Sequence, residues 1–178
     1  MSPLSDRLRA LPGFPDQMPS LDPVDLPEDP RDLILRWLEE EIARGTRQPH
    51  AMTFETIRED GAPDGRTLVL KDIDEHGLHV ATSRSSAKGR QLAVDPRAAM
   101  TFFWRESGRQ LRVSGVVTAL GEEASQQDWL ARPTSDGAPN PDWQVYALQP
   151  AEVIVMQARE DRRHVVVRYH RDVEGWRR

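Results

Sequence analysis

From residue 52 onward, the sequence consists of short segments with the apolar patterning of β-strands. These segments cover residues 52–59, 66–72, 78–83, 98–105, 110–120, about 145–157 and 163–170. Turn residues at Asp60-Gly61 and Pro63-Asp64-Gly65, and the stretch 74–77, join neighbouring segments at hairpin length. Six or seven strands joined in this way, with only short helices between them, favour a mainly β fold of the α+β class. We predict an antiparallel barrel rather than a parallel sheet with crossover helices.

One amphipathic helix is predicted ahead of the strands. Asp29 is placed to cap it, Pro30 suits its first position, and Gly45 ends it. An apolar stripe at helical spacing lies between them and consists of Leu33, Ile34, Trp37, Leu38 and Ile42. Two shorter helices are expected over residues 87–94 and 122–132.

The first 30 residues contain seven of the 14 prolines and show no periodicity. Proline at this density does not support regular helices or central strands. We therefore expect residues 1–30 to form an extended or partly disordered arm. Residues 31–178 are expected to form one domain, because 178 residues suffice for a single domain with a sizeable core.

The composition excludes several kinds of site. The chain has no cysteine, which rules out disulfide scaffolds, thiolate zinc sites and cysteine nucleophiles. Its histidines match no metal-binding spacing, so we predict no metal. No apolar run approaches the roughly 20 residues of a membrane span, and no secretory signal opens the chain. We therefore expect a cytoplasmic protein without a membrane partner.

The net charge of −5 argues against a nucleic-acid partner, because binding to a phosphate backbone requires a dominant basic field. The segment 84–112 is nevertheless locally basic. A basic patch on an acidic protein suits a small anionic ligand. A mixed, solvated surface is the alternative.

The strongest local feature is the strand-turn-helix segment VATSRSSAKGRQL. Thr82 ends the strand, Ser85 or Ser86 caps the helix, and Lys88 lies in its first turn. Free backbone N–H groups at a helix start, a hydroxyl cap and a nearby ammonium together form a site for an anion. The alternative is an ordinary capped helix with a surface lysine.

Two pairs of charged residues lie on predicted strands. Arg66 and Lys71 are five residues apart, so they face opposite sides of a regular strand and reach one ligand only near a strand end or bulge. Arg162 and His164 are two residues apart and therefore project from one strand face, where they can bind a carboxylate or phosphate. Solvated strand ends and a charge-protected edge strand are the alternatives.

An ordered set of motifs fills the middle of the chain, in the run RTLVLKDIDEHGLHVATSRSSAKGRQLAVDPRAAMTFFWRESGRQLRVSG. This run resembles the core of the pyridoxamine/pyridoxine 5′-phosphate oxidases and of the phenazine-biosynthesis oxidases that share their fold. The resemblance extends from about Leu26 to Pro133 and, more weakly, through the last two strands. It implies a split β-barrel of the FMN-binding type, a homodimer with FMN in its interface, and a small-molecule substrate.

The resemblance also implies roles for individual residues. The FMN-binding set would be Arg66, Thr67, Leu68, Val69, Leu70, Lys71, Thr82, Ser86, Lys88 and Gln110. The substrate-binding set would be Lys71, Arg132, Arg162 and His164. Arg66, Ser86 and Lys88 would contact the FMN phosphate, whereas Lys71 would lie between flavin and substrate. Lys71 and His164 are the two residues expected to act in catalysis.

The sequence departs from the family pattern at several positions. Ala87 and Val166 replace arginines, and Met156 replaces an aromatic residue expected to pack on the flavin. Asp128 stands in place of a tyrosine that assists substrate phosphate binding, and a carboxylate repels phosphate. The chain has only a short loop at 133–142, where the oxidases carry a few tens of residues. These changes bear on the substrate more than on the cofactor.

The expected activity is that of an FMN-dependent oxidase resembling pyridoxamine/pyridoxine 5′-phosphate oxidase. A hydride would pass from a small ring-bearing substrate to FMN, with molecular oxygen as the acceptor. A phenazine-type oxidase acting on a reduced aromatic intermediate is the alternative within this chemistry. A non-catalytic flavin-binding protein, or a related barrel with a deazaflavin cofactor, is the alternative outside it.

Overall fold

The computed structural model describes residues 2–178 and is built on antiparallel strands. Nine strands form within these residues: β1 (Ala51–Ile57), β2 (Pro63–Val69), β3 (Asp72–Asp74), β4 (Gly77–Ser83), β5 (Arg97–Trp104), β6 (Arg109–Ala119), β7 (Trp143–Gln157), β8 (Val165–Asp172) and β9 (Gly175–Arg177). The α-helices of the same residues are α1 (Pro3–Arg9), α2 (Pro30–Arg44), α3 (Ala87–Val94) and α4 (Glu122–Leu130). The predicted mainly β, α+β architecture is confirmed. None of the described helices is long and apolar enough to cross a membrane.

Strand β7 connects the two parts of the sheet. The strand order is β2-β1-β5-β6-β7-β4-β3, with β8 paired to β7 and β9 paired to β8. The first part of β7, residues 143–148, pairs with β4, and its last part, residues 152–157, pairs with β8. Strand β6 follows the other edge of β7 through both parts. The long strand therefore changes its neighbour half-way, and the sheet curls into a split barrel.

A β-bulge bends β7 at this change of neighbour. The register between β6 and β7 shifts between Ser114 and Gly115, so that Ala151 has no direct partner on β6. A Cβ atom at Gly115 would lie 1.9 Å from the carbonyl oxygen of Gln149. Glycine is therefore required where the two strands approach most closely.

Helix α2 has the ends that the sequence predicts. Asp29 accepts a hydrogen bond from the Arg31 backbone N–H at 2.8 Å, and Gly45 closes the helix with a φ of 77°. The buried apolar residues of the stripe are Leu33, Ile34 and Trp37. The predicted stripe is wrong at its C-terminal end, because Ile42 is 53% exposed and Glu41 is fully buried instead.

Paired charges explain why α2 turns Glu41 inward. The Thr46 hydroxyl donates to one carboxylate oxygen of Glu41 at 2.6 Å, and Arg109 lies 3.5 Å from the other. Arg109 also donates to Glu40 at 2.6 Å and lies 4.7 Å from the ring centroid of Trp37. A buried carboxylate requires such partners. The cluster fixes α2 to the end of the barrel where β6 begins.

The core lies inside the barrel and is filled by alternate residues of the strands. The inward side chains of β1, β5 and β6 that are at most 1% exposed include Phe54, Met100, Phe102, Leu111 and Val113. Phe103, between two inward residues of β5, points outward and is 48% exposed. This alternation gives the sheet an inner and an outer face, which determines what each site residue can reach.

Residues 2–29 contact the barrel mainly through their second half. Helix α1 buries no side chain, whereas Leu26 is buried. The Tyr169 hydroxyl on β8 donates to the Pro27 carbonyl at 3.1 Å. Helix α1 is absent from the sequence-based expectation, because no apolar periodicity marks it. The division of the chain into an arm and a domain at residue 30 stays a prediction.

Most element bounds agree with the predicted ones to within three residues. Helix α3 spans the predicted residues 87–94. Strand β2 begins at Pro63, in residues predicted to form a turn, because an edge strand tolerates proline and glycine. Strands β3 and β9 have three residues each, and so short a strand leaves no alternation to detect in the sequence.

Candidate functional site

The turn between β4 and α3 brings two of the predicted site residues, Thr82 and Ser86, together. The Thr82 Oγ1 atom lies 3.2 Å from the Ser86 Oγ atom, which also accepts a hydrogen bond from the Gly89 N–H at 3.2 Å. Ser86 is therefore the N-cap of α3. Ser85, the other candidate, instead donates its hydroxyl to Asp142 at 2.7 Å. Asp142 thus holds the outside of the turn while Ser86 and Thr82 face inward.

Arg66 lies next to this turn, on the inner face of β2, because it pairs in register with the core residue Phe54. Its guanidinium donates to Thr56 at 2.7 Å and to Gln91 at 3.1 Å, and lies 2.6 Å from Asp64. Gln91 also donates to Asp64 at 2.8 Å. This hydrogen bond, together with the charge of Arg66, lowers the pKa of Asp64. The position of the guanidinium is therefore fixed by contacts within the chain.

Lys88, in the first turn of α3, is a half-buried cation. Burial lowers the pKa of its ammonium group, and the positive charge of Arg66 lowers the pKa further. Within residues 2–178, no carboxylate forms an ion pair with Lys88. Two neighbouring cations beside two hydroxyl groups form an environment that a phosphate would stabilise. We call Arg66, Thr82, Ser86 and Lys88 the inner cluster.

Lys71 lies beyond the end of β2, where the chain crosses to β4 and its N–H donates to the His79 carbonyl at 2.9 Å. Lys71 thus lies near a strand end, where it and Arg66 can approach one ligand although they would face opposite sides of a regular strand. Strand β2 is the terminal strand of the sheet path, so one edge of residues 67–69 is unpaired among the described strands. Its free backbone N–H and C=O groups can pair with the polar edge of a ligand ring.

Asp128 on α4 holds the Lys71 side chain. The Lys71 Nζ atom lies 3.3 Å from Asp128 Oδ1, and the Trp143 indole N–H donates to Asp128 Oδ2 at 2.8 Å. The pair lines a cavity of about 450 Å³, which also contains Asp74 and His79. Those two side chains bond to each other at 2.8 Å. Lys71 thus has a carboxylate partner, whereas Lys88 has none within the described chain.

Arg132 lies just past the end of α4 and packs on aromatic rings. Its guanidinium carbon lies 4.3 Å from the ring centroid of Trp143 and 5.6 Å from that of Trp129. Its Nε atom is buried and has no hydrogen-bond partner within residues 2–178. The Trp129 indole N–H donates to the Ala138 carbonyl at 2.8 Å, which folds the short loop 131–142 back onto α4.

Gln110 lies on the opposite face of the sheet from the inner cluster. It is aligned in register with Phe103 on β5 and Met156 on β7, and Met156 is aligned with Val166 on β8. Its neighbour Leu111 points into the core and is fully buried. We call Phe103, Gln110, Met156 and Val166 the outer row. Two of the positions that depart from the family pattern, Met156 and Val166, therefore lie in one row with Gln110.

The predicted shared strand face of Arg162 and His164 is wrong. Strand β8 begins at Val165, so both residues lie in the loop before it, and Arg162 adopts a φ of 59°. The His164 Nδ1 atom accepts a hydrogen bond from the Arg159 backbone N–H at 3.1 Å. This hydrogen bond closes the loop between β7 and β8, which extends two residues into the strand predicted from residue 163.

Phe14, from the N-terminal segment, links this loop to the outer row. Its ring centroid lies 5.9 Å from that of His164 and 6.1 Å from that of Phe103. A cavity of about 420 Å³ lies between the N-terminal segment and the loop and includes Arg162. The predicted site residues of the chain therefore form two groups. Lys71 and Arg132 lie on the side of the inner cluster, and Arg162 and His164 lie on the side of the outer row.

Sequence reasoning missed the residues that hold Arg66. Gln91 follows Lys88 by three positions and therefore shares its helix face, which was a usable signal. Thr56 and Asp64 carry no such signal, because their contacts with Arg66 depend on the register between β1 and β2. Asp142 is distant in sequence from the turn that it holds and was likewise not predicted.

Comparison with protein families gives a match to the family model of pyridoxamine 5′-phosphate oxidase over residues 38–157. The chain is 31% identical to the pyridoxine/pyridoxamine 5′-phosphate oxidase of Rubrobacter xylanophilus, with 84% of this chain and 85% of that protein covered. It is 40% identical over 105 residues to the enzyme of the same name from Microcystis aeruginosa. That alignment covers 59% of this chain and spans only about half of the relative, 49% of its length.

Two solved structures share the fold. PhzG from Burkholderia lata 383, in complex with tetrahydrophenazine-1-carboxylic acid, is 28% identical with a TM-score of 0.84, over 90% of this chain and 96% of that one. A pyridoxamine 5′-phosphate oxidase-related, FMN-binding protein from Nostoc punctiforme is 22% identical with a TM-score of 0.67, over 89% and 96% of the two chains. Both confirm the antiparallel split β-barrel.

Proposed function

Since this chain belongs to the pyridoxamine 5′-phosphate oxidase family, we propose that it is an FMN-dependent oxidase of a small ring-bearing substrate. The observation that carries the proposal is Lys88, a half-buried cation beside Arg66 that has no carboxylate partner within residues 2–178. A phosphate would supply the missing negative charge. The capped start of α3 adds the Ser86 hydroxyl and the helix dipole to the same place.

The residues present fit both the phosphate end and the ring end of FMN. The inner cluster would hold the phosphate, and the free edge of β2 over Thr67–Val69 would bond the isoalloxazine ring. Leu70 follows this edge, but its N–H donates to the His50 carbonyl at 2.8 Å and is not available to the ring. Ala87 removes one cation from this site, but Lys88 and Arg66 remain. Bound FMN would supply the redox chemistry, namely acceptance of a hydride and transfer of the electrons to molecular oxygen.

We propose that the active protein is a homodimer with FMN between the protomers. Gln110, predicted to hydrogen-bond the flavin, lies on the opposite sheet face from Arg66, so one protomer does not offer both to one ligand. The Gln110 side chain makes no hydrogen bond within residues 2–178. Its neighbours Phe103 and Val166 are apolar and are 48% and 60% exposed. A second copy would cover these residues and supply its own Gln110 to the site.

The substrate would lie against Lys71 and Arg132 of one protomer and against Arg162 and His164 of the other. Lys71 is held in place by Asp128 at 3.3 Å and would orient the substrate over the cofactor. The imidazole of His164 accepts a backbone hydrogen bond through Nδ1, which leaves Nε2 to exchange a proton with the substrate. Substrate candidates are pyridoxamine or pyridoxine 5′-phosphate and a reduced aromatic intermediate of the phenazine type.

A phenazine-type substrate has one observation in its favour. The PhzG structure, which contains tetrahydrophenazine-1-carboxylic acid, overlays this chain with a TM-score of 0.84. A non-catalytic flavin-binding protein is one alternative outside this chemistry. The joint presence of Lys71, Arg132, Arg162 and His164 favours an enzyme over it, because flavin storage alone does not require these residues.

The visible spectrum of the purified protein tests the proposal, with mass spectrometry of any released cofactor. The FMN-loaded protein is then mixed anaerobically with pyridoxamine 5′-phosphate and, separately, with a dihydrophenazine-type compound. We expect bound FMN and bleaching of the flavin absorbance by at least one of the two compounds. A colourless protein that takes up no added FMN would refute the proposed cofactor. A yellow protein that neither compound bleaches would favour the non-catalytic alternative.

His164→Ala tests the catalytic assignment separately from cofactor binding. We expect the variant to retain FMN with unchanged affinity and to lose roughly 100-fold in the rate of flavin reduction, the scale of a lost acid or base group. Stopped-flow absorbance measures the rate, and fluorescence titration measures the FMN affinity. Loss of FMN instead would show that His164 serves the cofactor and not the substrate.

A further inference from the structure

Asp128 is held by two different elements, and this fixes where its charge lies. One oxygen faces the Lys71 ammonium at 3.3 Å and the other accepts the Trp143 indole N–H at 2.8 Å. The Asp128 side chain is only 20% exposed, and that of Lys71 is 28% exposed. With both oxygens engaged from opposite sides, the carboxylate does not rotate away from Lys71 without losing a hydrogen bond.

The helix that carries Asp128 is itself anchored. Gln126 exchanges two hydrogen bonds with the backbone of Asn140, at 3.0 and 3.2 Å. The Trp129 indole N–H donates to the Ala138 carbonyl at 2.8 Å. The short loop therefore clamps the C-terminal half of α4 and keeps Asp128 beside Lys71.

The charge around Lys71 is negative as a result. The cavity that Lys71 lines contains one ammonium group, three carboxylates and two imidazoles. The carboxylates are those of Asp72, Asp74 and Asp128, and Asp74 is hydrogen-bonded to one of the imidazoles, that of His79. Arg132 does not line this cavity, and its guanidinium carbon lies 4.3 Å from the ring centroid of Trp143. A phosphate dianion entering here would meet an ammonium that is already neutralised, and would be repelled by the Asp128 carboxylate.

We infer that Asp128 is a specificity-determining residue that selects a substrate without a phosphate group. The inference rests on the proposed function, because it concerns the substrate that Lys71 and Arg132 would hold. Asp128 neutralises Lys71 and offers a carboxylate to hydrogen-bond donors of the substrate, such as a ring hydroxyl or amine. The preferred substrate is therefore a ring compound whose polar groups donate hydrogen bonds, and not a phosphate monoester.

The test compares two ligands that differ only in phosphate, 4-deoxypyridoxine and 4-deoxypyridoxine 5′-phosphate. Neither has an oxygen on the 4′-carbon, the atom from which a hydride would be removed, so binding is measured without turnover. Isothermal titration calorimetry on the FMN-loaded protein gives both dissociation constants. We expect the protein to bind the phosphate-bearing ligand no more tightly than the phosphate-free one.

Asp128→Asn removes the charge and keeps an oxygen for the Trp143 N–H. Loss of one charge within a few ångströms of a bound phosphate should tighten binding of the phosphate-bearing ligand about tenfold. Binding of the phosphate-free ligand should change less than about twofold. Glu122→Gln, at the exposed start of the same helix, is the matched control and should leave both constants unchanged.

Three results would overturn the inference. The first is a wild-type protein that binds the phosphate-bearing ligand ten or more times more tightly than the phosphate-free one. The second is an unchanged affinity ratio in Asp128→Asn, and the third is no binding of the phosphate-bearing ligand by that variant. Asp128→Tyr also removes the carboxylate and replaces the first variant if that one does not fold. FMN uptake is measured beforehand, so failure of the proposed cofactor is recognised separately from failure at Asp128.

Discussion

The inner cluster and the outer row differ in what holds their side chains. Arg66 is fixed by Thr56, Asp64 and Gln91 of its own protomer. Gln110, in contrast, forms no side-chain hydrogen bond within residues 2–178 and stands among exposed apolar neighbours. The first arrangement is complete within one chain and organised before a ligand binds. The second is a surface that becomes a site only when another molecule covers it.

The two regions therefore differ in whether their ligand-binding groups are held in place before another molecule binds. In the proposed FMN site, the phosphate end would require charged groups at fixed positions, which a network of hydrogen bonds between β1, β2 and α3 would provide. The ring end would require a flat contact area, which exposed apolar residues would provide if a second copy covered them. Substitutions that disturb one of the two regions and leave the other intact test this difference.

Phe103→Asp should have the largest effect, because it places a charge on the exposed apolar surface of the outer row. We expect the homodimer to dissociate and FMN affinity to fall more than about 30-fold, the scale of losing a strongly contributing interface residue. Analytical ultracentrifugation and FMN fluorescence titration measure the two effects. Val173→Asp, at a fully exposed apolar position in the last hairpin, is the control and should change neither. A monomeric Phe103→Asp protein with unchanged FMN affinity would show that one protomer suffices.

Lys88→Met should weaken FMN binding roughly 10- to 100-fold, the range expected for one lost hydrogen bond to a charged group. The cofactor-free protein should at the same time unfold at a higher temperature, because a half-buried cation beside Arg66 is removed. Fluorescence titration and thermal unfolding test both effects. Arg90→Met removes the same charge from an exposed position of α3 and should change FMN affinity less than about threefold. Equal effects of the two variants would mean that only the net charge of α3 matters.

Gln91→Leu should destabilise the protein by about 1–3 kcal/mol, because Arg66, Thr56 and Asp64 each lose a partner. Urea unfolding of the cofactor-free protein measures the free energy of unfolding. Gln127→Leu, on the exposed side of α4, removes only a bond to Glu123 and should cost less than about 0.5 kcal/mol. FMN affinity should also fall in Gln91→Leu, since Arg66 is no longer held in place. A stability unchanged from wild type would contradict the idea that the inner cluster is organised in advance.

The smallest expected effect is a dependence of stability on pH that comes from Lys88. The pKa of Lys88 is lower in the folded protein than its ordinary value of 10.5, so the charged form is disfavoured by folding. The resulting loss of folding stability is complete below the pKa that Lys88 has in the folded protein. It disappears as the pH rises from that pKa to 10.5. The stability gained by Lys88→Met should therefore fade over that alkaline range. Thermal unfolding of both proteins at several pH values measures the difference, and a constant difference would contradict the lowered pKa.

The features that the sequence determined by itself depend on residues a few positions apart. Asp29 and Gly45 bound α2, and Ser86 caps α3, because capping uses side chains and backbone conformations local to the helix ends. The antiparallel architecture followed in the same way from strand alternation and hairpin-length turns. The motifs around Lys88 also indicated the family that the comparisons found.

Only the tertiary structure decided the contacts between distant parts of the chain. The register of β1 and β2 places Thr56 and Asp64 on Arg66, and a charge network with Arg109 buries Glu41 in place of Ile42. The same holds for the loop at 158–164, which includes His164 although the pattern predicts a strand from residue 163. Asp128 was recognisable in the sequence as a departure, but its pairing with Lys71 and Trp143 was not. Local patterns specify elements, whereas the partners of a charge depend on how those elements pack.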